Sequence, residues 1–335
     1  VNLLFIGGTG NISTDCAEVL HKAGHSIILL TRGNSPVPAG YRALKADRKD
    51  PNAMRKALEE VQVDVVLNFL GYELTEAQAD FELFWGRISQ YIFISSATVY
   101  AKPPPRLPIT EDCPLGNPWW DYAQKKHACE DWLMSCWDKE MFPLTIVRPS
   151  HTYSKRWIPN HLSSSSYSFA ARLEQGLPVF VPDHGENPWT LTAASDFALG
   201  LAGLVGNPQA IGERFHITSD EALSWNQICL EIAEALGAPR PTLVPVPTDF
   251  ICQVAPVMTG GLKGDKAHPG VFDNSKLKRV VPGFQCRKPF RVGVRESVAW
   301  LRANPKYQCL NPQIDATVDS VLAAWQEHSA YRGAP

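Results

Sequence analysis

The chain has no marked excess of either charge: 32 lysines and arginines stand against 34 aspartates and glutamates, for a net charge of −2 with the nine histidines neutral. A broad electrostatic footprint for nucleic acid is therefore not expected, and no nucleic-acid partner is assigned. No apolar run approaches the roughly 18 residues of a membrane-spanning helix, so no membrane partner is expected either. The eight cysteines (16, 113, 129, 136, 229, 252, 286 and 309) are scattered, with no CxxC pair. That pattern predicts reduced thiols in a cytoplasmic protein rather than a disulfide framework. Metal-ligand spacing is absent, so no metal site is expected. Val1–Ile6 runs directly into a glycine turn, so no leader peptide is expected. Internal repeats and long low-complexity tracts are also missing.

What is present is a chain of 335 residues, 44% hydrophobic and 20% charged. That length corresponds to about two domains. It can bury a large core without disulfide or metal staples. The first half alternates strand and helix patterns. Strands are expected at Asn2–Ile6, Ser26–Leu30, Val63–Phe69, Tyr91–Ser95 and Leu144–Val147, with one more around Leu44. Helices are expected at Cys16–Ala23, Met54–Val61 and Trp119–Asp138. Continuous apolar strands separated by helices predict an α/β fold, a doubly wound parallel sheet of Rossmann type, over residues 1–150. After Arg148 the texture becomes polar and loop-like, with four serines at Ser163–Ser166. Residues 151–335 are expected to form a smaller mixed α/β lobe, with about 176–204 returning to the sheet. Within it, Tyr167–Gln175, Ser224–Leu236, Val292–Ala303 and Ile314–His328 read as helices, and Gly237 fits a helix end. Thr190–Leu204 reads as a strand entering a helix, with Asp196 near the junction. Gly260–Pro269 reads as a glycine-rich loop.

Gly7-Gly8-Thr9-Gly10-Asn11-Ile12-Ser13 follows a strand and opens a helix. Gly7 allows the tight turn. Gly10 lets the backbone approach a pyrophosphate seated on the helix N-terminus. Serine replaces the usual third glycine at position 13 and is small enough for close helix–strand packing. The second strand ends in Thr31-Arg32-Gly33, without the acid that commonly holds a ribose 2′-hydroxyl. Arg32 can pair with a 2′-phosphate, so NADP(H) is expected ahead of NAD(H), which remains the alternative. Asp47 is positioned to touch the adenine.

Tyr122 and Lys126 lie four residues apart in the long helix pattern, on one face and about 6 Å apart along the axis. A tyrosine with an ordinary pKa near 10 is a poor base at neutral pH. A nearby ammonium and the positive charge of an oxidised nicotinamide are expected to lower it, making an acid–base residue. Tyr41 and Lys45 match the same spacing, but in an extended pattern that separates them by up to about 13 Å. Ser96 lies at the carboxyl end of a predicted parallel strand, where such folds bind ligands. It is expected to hydrogen-bond Tyr122 and a substrate oxygen.

Taken together, these residues resemble the extended short-chain dehydrogenase/reductase family, the NAD(P)-dependent epimerase/dehydratase group. The resemblance spans nearly the whole chain: the glycine turn, Asn68-Phe69-Leu70-Gly71, Ile94–Tyr100, Tyr122–Lys126, Val147-Arg148-Pro149 and Leu191–Leu199. It implies Tyr122 as the acid–base residue, Lys126 orienting it and the cofactor ribose, and Ser96 positioning the substrate. It also implies cofactor contacts from Phe69, Leu70, Gly71 and Pro149, and dimerisation through Trp119–Asp138 and Thr75–Trp85. Members of this group oxidise a carbinol, reduce a ketone, or do both in an epimerisation. Two departures concern nucleotide-sugar members. His151 replaces an asparagine, and Trp189 replaces a diphosphate-binding arginine, which weakens the case for a nucleotide diphosphate handle.

The substrate side is expected to draw on Trp120, His151, Tyr153 and Trp189, with Trp119 and Trp157 close by; aromatic platforms suit sugar rings and polycyclic metabolites alike. Lys266 and His268 are candidates for an anionic group. The leading reading is an NAD(P)-dependent oxidoreductase or epimerase acting on a sugar-like small molecule. The alternative is an NADPH-dependent ketone reductase of a hydrophobic natural product. Some relatives of this fold are redox-sensing regulators or RNA-binding proteins, but this chain keeps the tyrosine–lysine pair those often lose.

Overall fold

In the computed structural model, which describes residues 1–33, 37–59 and 61–332, strand and helix alternate from the start. They run β1 (Asn2–Ile6), α1 (Ser13–Lys22), β2 (Ser26–Thr31), β3 (Arg42–Lys45), α2 (Pro51–Glu59), β4 (Val65–Asn68), α3 (Leu74–Phe84), β5 (Gln90–Ile94), α4 (Asp121–Glu140) and β6 (Leu144–Pro149). Residue 60, in the last turn of the helix expected at Met54–Val61, lies outside the described residues. β4, β5 and β6 are buried at every position, as continuous apolar runs in a parallel sheet require.

The second half contributes β7 (His151–Tyr153), α5 (Ser168–Glu174), β8 (Val179–Pro182), β9 (Pro188–Trp189), β10 (Leu191–Ala193), α6 (Ala194–Leu204), β11 (Glu213–Ile217), β12 (Leu223–Ser224), α7 (Trp225–Leu236), β13 (Leu243–Val246) and α8 (Thr248–Val254). Two long helices, Phe290–Ala303 and Pro312–Arg332, close the chain. The main sheet is seven-stranded and wholly parallel, in the order β11-β6-β5-β4-β1-β2-β3. Its order reverses beside β1, where such sheets open a crevice at their carboxyl ends. One apolar layer packs the sheet against α2, α3 and α4; another packs it against α1 and α6.

A separate apolar core holds the second lobe around Tyr153, Trp225 and Phe290. Ser224 caps α7 in a reciprocal box with Gln227, and Gly237 ends that helix in the left-handed region at φ 62°.

The segment expected as a loop at Gly260–Pro269 is instead largely helical. Thr259–Gly261 is a short α-helical piece that continues as a π-helical turn over Leu262–Lys266. Trp120 packs against Gly260 and Gly264, where a Cβ would lie 2.7 and 2.9 Å from its atoms. These glycines serve close packing rather than chain reversal. Among the described residues, no helix is long and apolar enough to cross a membrane, and no cluster of His, Cys, Asp and Glu could hold a metal ion.

Candidate active site

The glycine turn leaves β1 at Gly7, whose φ is +85° and whose added Cβ would stand 2.5 Å from Leu70 Cγ. Both the backbone angle and the space call for glycine. Ser13 ties the turn. Its hydroxyl donates to the Gly7 carbonyl at 2.6 Å and accepts from the Gly10 N–H at 2.9 Å. The side chain standing at the third-glycine position is therefore a staple as well as a small residue. Asn11 Nδ2 donates to the Thr152 carbonyl at 3.0 Å, and its Oδ1 accepts from the Ser154 hydroxyl at 2.7 Å. That side chain joins the turn to β7, so only its main chain is offered to a ligand.

A cavity of about 530 Å³ opens between this turn and the carboxyl ends of β4, β5 and β6. It brings together most of the expected residues: Gly10, Asn11, Ile12, Phe69, Leu70, Ser96, Tyr122, Lys126 and Pro149 with Trp120, His151 and Trp189. Gly7, Gly8 and Thr9 sit behind it in the turn. Gly71 packs beneath, where a Cβ would meet the Phe93 ring at 2.4 Å. Three expected residues stand apart from the cavity. Arg32 is exposed at the end of β2. Asp47 Oδ1 accepts from the Lys49 N–H at 2.9 Å, capping its own turn. Tyr153, expected at the substrate, is 2% exposed and stands edge-on to Phe290 in the second lobe's core, its hydroxyl unpaired. It is the third residue of β7.

Tyr122 opens α4, at 5.2 Å between ring centroids from Trp120 and 6.2 Å from Tyr72. Burial raises its pKa to about 12; the Tyr72 phenol adds to this and the nearby Ser96 hydroxyl opposes it. Lys126 is 1% exposed and donates to the Ile94 carbonyl at 2.8 Å. Its ammonium lies 4.8 Å from the Tyr72 and Phe93 ring centroids. Burial lowers its pKa to about 8. Desolvation dominates the Tyr122 pKa, and the Lys126 ammonium is turned to the sheet. Tyr122 is a neutral phenol at pH 7. The Ser96 hydroxyl also accepts from the Thr98 N–H and hydroxyl at 3.2 and 2.9 Å, which fixes its orientation.

His151 accepts the Trp189 indole N–H on Nδ1 at 3.2 Å, leaving Nε2 to donate to Ser164 at 2.7 Å. Burial, with Lys266 nearby, lowers its pKa to about 3. It is a fixed, neutral group. Trp189 is 4% exposed and leans on Trp225, so it shows the cavity an edge.

Asp265 and Lys266, 3.3 Å apart, enter the cavity from the π-helical turn. His268 instead bonds the Lys263 carbonyl. Residues that sequence reasoning missed include Tyr72, Ser95, Thr98, Ser150, Thr152 and Asp265. Tyr72 carried a usable signal: an aromatic just past the loop that follows an all-apolar parallel strand.

Two buried networks brace this geometry. Asn68 accepts from Leu70 N–H and Arg48, and donates to Asp80 and Tyr91. This holds the Phe69–Gly71 loop. On the other side, Arg148 grips Glu130 with two nitrogens, one turn of α4 beyond Lys126. It also donates to Tyr100, which donates in turn to His216 Nε2. A charge on the buried stripe of α4, beside Ala123, Cys129 and Leu133, was the available signal for Glu130.

The fit to a dinucleotide rests on the glycine that no Cβ can replace, the open α1 N-terminus, and the apolar lining from Phe69, Leu70 and Pro149.

Comparisons agree with that geometry. Residues 3–218 match the model of the NAD dependent epimerase/dehydratase family. A 2′-dehydrokanamycin reductase of Streptomyces kanamyceticus is 27% identical over 307 residues, 90% of this chain and 84% of the relative. A UDP-glucose 4-epimerase of Neisseria meningitidis is 28% identical over 345 residues, 91% of this chain and 98% of the relative. The chloroplast stem-loop binding protein of 41 kDa b from Arabidopsis thaliana is 28% identical over 257 residues, 72% of this chain and 65% of the relative. In fold, the chain matches a Thermus thermophilus UDP-glucose 4-epimerase solved with NAD, at a TM-score of 0.72 and 18% identity, covering 91% of this chain and all of that one. The chain thus belongs to the NAD dependent epimerase/dehydratase family and is an NAD(P)-dependent enzyme of the extended short-chain dehydrogenase/reductase type.

Proposed function

We propose that the protein moves a hydride between a bound nicotinamide and a carbinol or ketone carbon of a sugar or sugar-like molecule, with Tyr122 as the acid–base residue. One observation carries the reading. Tyr122, Ser96 and Lys126 open on the same cavity as the glycine turn. A bound nicotinamide supplies the hydride chemistry. The chain does the rest. Held neutral by burial, the Tyr122 hydroxyl donates its proton to a carbonyl oxygen as that oxygen gains charge. Ser96, oriented by Thr98, holds the same oxygen. Lys126 secures the second turn of α4 against β5 through the Ile94 carbonyl. Trp120, Trp157 and Trp189 with Asp265 and Lys266 supply the mixture of aromatic surface and polar groups that suits a sugar ring. The names of the kanamycin-modifying and UDP-glucose relatives support the same substrate class.

Tyr122→Phe is expected to lower turnover by about 10²–10⁴-fold, the usual weight of a positioned acid–base group, with cofactor Kd unchanged within about twofold. Activity equal to the unsubstituted enzyme would sink the assignment.

We further assign NADP(H) as the preferred cofactor, on Arg32 at the end of β2 where a ribose-binding acid is missing. Residues 1–150 carry the cofactor side and 151–335 the substrate side; of the stretch about 176–204 expected to return to the sheet, β8, β9 and β10 pair elsewhere and α6 packs on it, while the strand that joins it is β11, further along the chain. A homodimer through α3 and α4 is supported by a surface groove lined by Phe81, Trp85 and Trp132. A monomer in equilibrium sedimentation at micromolar concentration would refute it. The eight unpaired cysteines support a reducing, cytoplasmic compartment.

A second reading, a one-way ketone reductase of a hydrophobic compound, draws on the aromatic lining. It predicts stoichiometric NADPH oxidation, whereas an epimerase shows no net change. The name of the Arabidopsis relative raises nucleic-acid binding, which a gel shift at physiological salt tests directly.

A further inference from the structure

We infer that Arg156, from the second half of the chain, grips the diphosphate of the dinucleotide; the inference rests on the cofactor reading above. The glycine turn alone is a weak host for two negative charges. Its Gly10 N–H is already given to Ser13. The first turn of α1 carries Asp15, and Glu18 follows three residues later. The main-chain N–H groups of Asn11 and Ile12 have no acceptor among the described residues, so they remain for a phosphate oxygen. A cation from elsewhere adds the charge that these N–H groups lack.

Arg156 is the cation that touches the turn. Its Nη1 donates to the Thr9 carbonyl at 3.4 Å, a long bond to a neutral partner. It forms no ion pair among the described residues. The other guanidinium N–H groups are uncommitted, and a planar fork of donors matches a diphosphate better than a point charge does. Its place is held firmly. Ser154 donates twice to Asn11 Oδ1, from N–H at 3.1 Å and hydroxyl at 2.7 Å, and the Arg156 N–H donates to that hydroxyl at 3.3 Å. Trp157, the next residue, lines the cavity. One turn of the second lobe therefore reaches the diphosphate with one side chain and the substrate space with the next.

The test uses the full chain and titrates NADPH and NADH by fluorescence. Arg156→Ala is expected to raise both Kd values by about 10- to 100-fold, the weight of a charge-assisted hydrogen bond, with their ratio unchanged. The ratio holds because both cofactors share the diphosphate. Arg32→Ala is expected to weaken NADPH alone. Arg156→Lys, which keeps the charge and loses the fork, falls between. Melting of cofactor-free Arg156→Ala is expected to match the unsubstituted protein; should it not, Arg156→Gln is judged by the same two Kd values. Kd values within about twofold of the original overturn the inference, as does a loss confined to NADPH, which would put Arg156 at the 2′-phosphate. If the unsubstituted chain binds neither dinucleotide, the cofactor reading itself fails, whatever Arg156 does.

Discussion

The two buried networks flanking the cleft differ in how completely they are sealed. On the cofactor side, Arg48 reaches Asp80 from the rim, with side-chain exposures of 11% and 2%. Asp80 also receives hydrogen bonds from Asn68 and Tyr91, at 2.7 and 2.5 Å. Burial raises its pKa, so it can also take a proton. On the substrate side, Arg148 and Glu130 are each 1% exposed. Burial opposes the Arg148 charge, but Glu130 outweighs it and keeps the guanidinium protonated. The first network steadies a loop that must admit a cofactor and has several ways to satisfy its charge. The second fixes the helix carrying Tyr122 and Lys126; Glu130 is the carboxylate that balances its charge, and its other acceptors, Tyr100 and the Glu111 carbonyl, are neutral.

That contrast sets the largest expected effect. Glu130→Ala leaves Arg148 buried and unpaired, and is expected to destabilise the fold by about 3–5 kcal/mol in urea unfolding. Arg48→Ala is expected to cost about 1–2 kcal/mol, because Asp80 keeps two donors. Equal losses would show that the networks are not differently sealed.

The smallest effect concerns acid. His216, fully buried, accepts from Tyr100 on Nε2 and faces the Asp273 carbonyl with Nδ1. Burial lowers its pKa to about 3. The unfolded chain takes up that proton near pH 6.5, well before the folded one does. Stability present above pH 6.5 is therefore lost as the pH falls towards 3. Asp80, with its pKa raised, acts in the opposite sense: the folded state takes its proton first, so acid favours the fold there. His216→Gln is expected to reduce the stability lost between pH 7.5 and 5.5 by on the order of 1 kcal/mol. An unchanged pH slope would place the acid sensitivity elsewhere, with His151 and His161 next in line, since burial lowers both.

Much of the cofactor side was legible because its signals are local. The glycine turn, the apolar runs of β4, β5 and β6, and the four-residue spacing of Tyr122 and Lys126 each read from neighbours in sequence. The substrate side was not. Gly260 and Gly264 read as loop residues, yet they are the flat surface on which Trp120 lies. Tyr153 reads as an open aromatic, yet it packs edge-on to Phe290 in the second core. Arg156 gave no signal beyond a basic pair after a strand, and its contact with Thr9 spans 147 residues.

The sequence by itself determined the parallel sheet, the turn that only glycine can make, and the residue types that carry acid–base chemistry, because periodicity, backbone sterics and helical spacing act over a few residues. Only the tertiary structure decided which of those groups are desolvated, which aromatics face the cleft, and which arginine stands against the glycine turn, because desolvation and long-range packing depend on what the rest of the chain brings near.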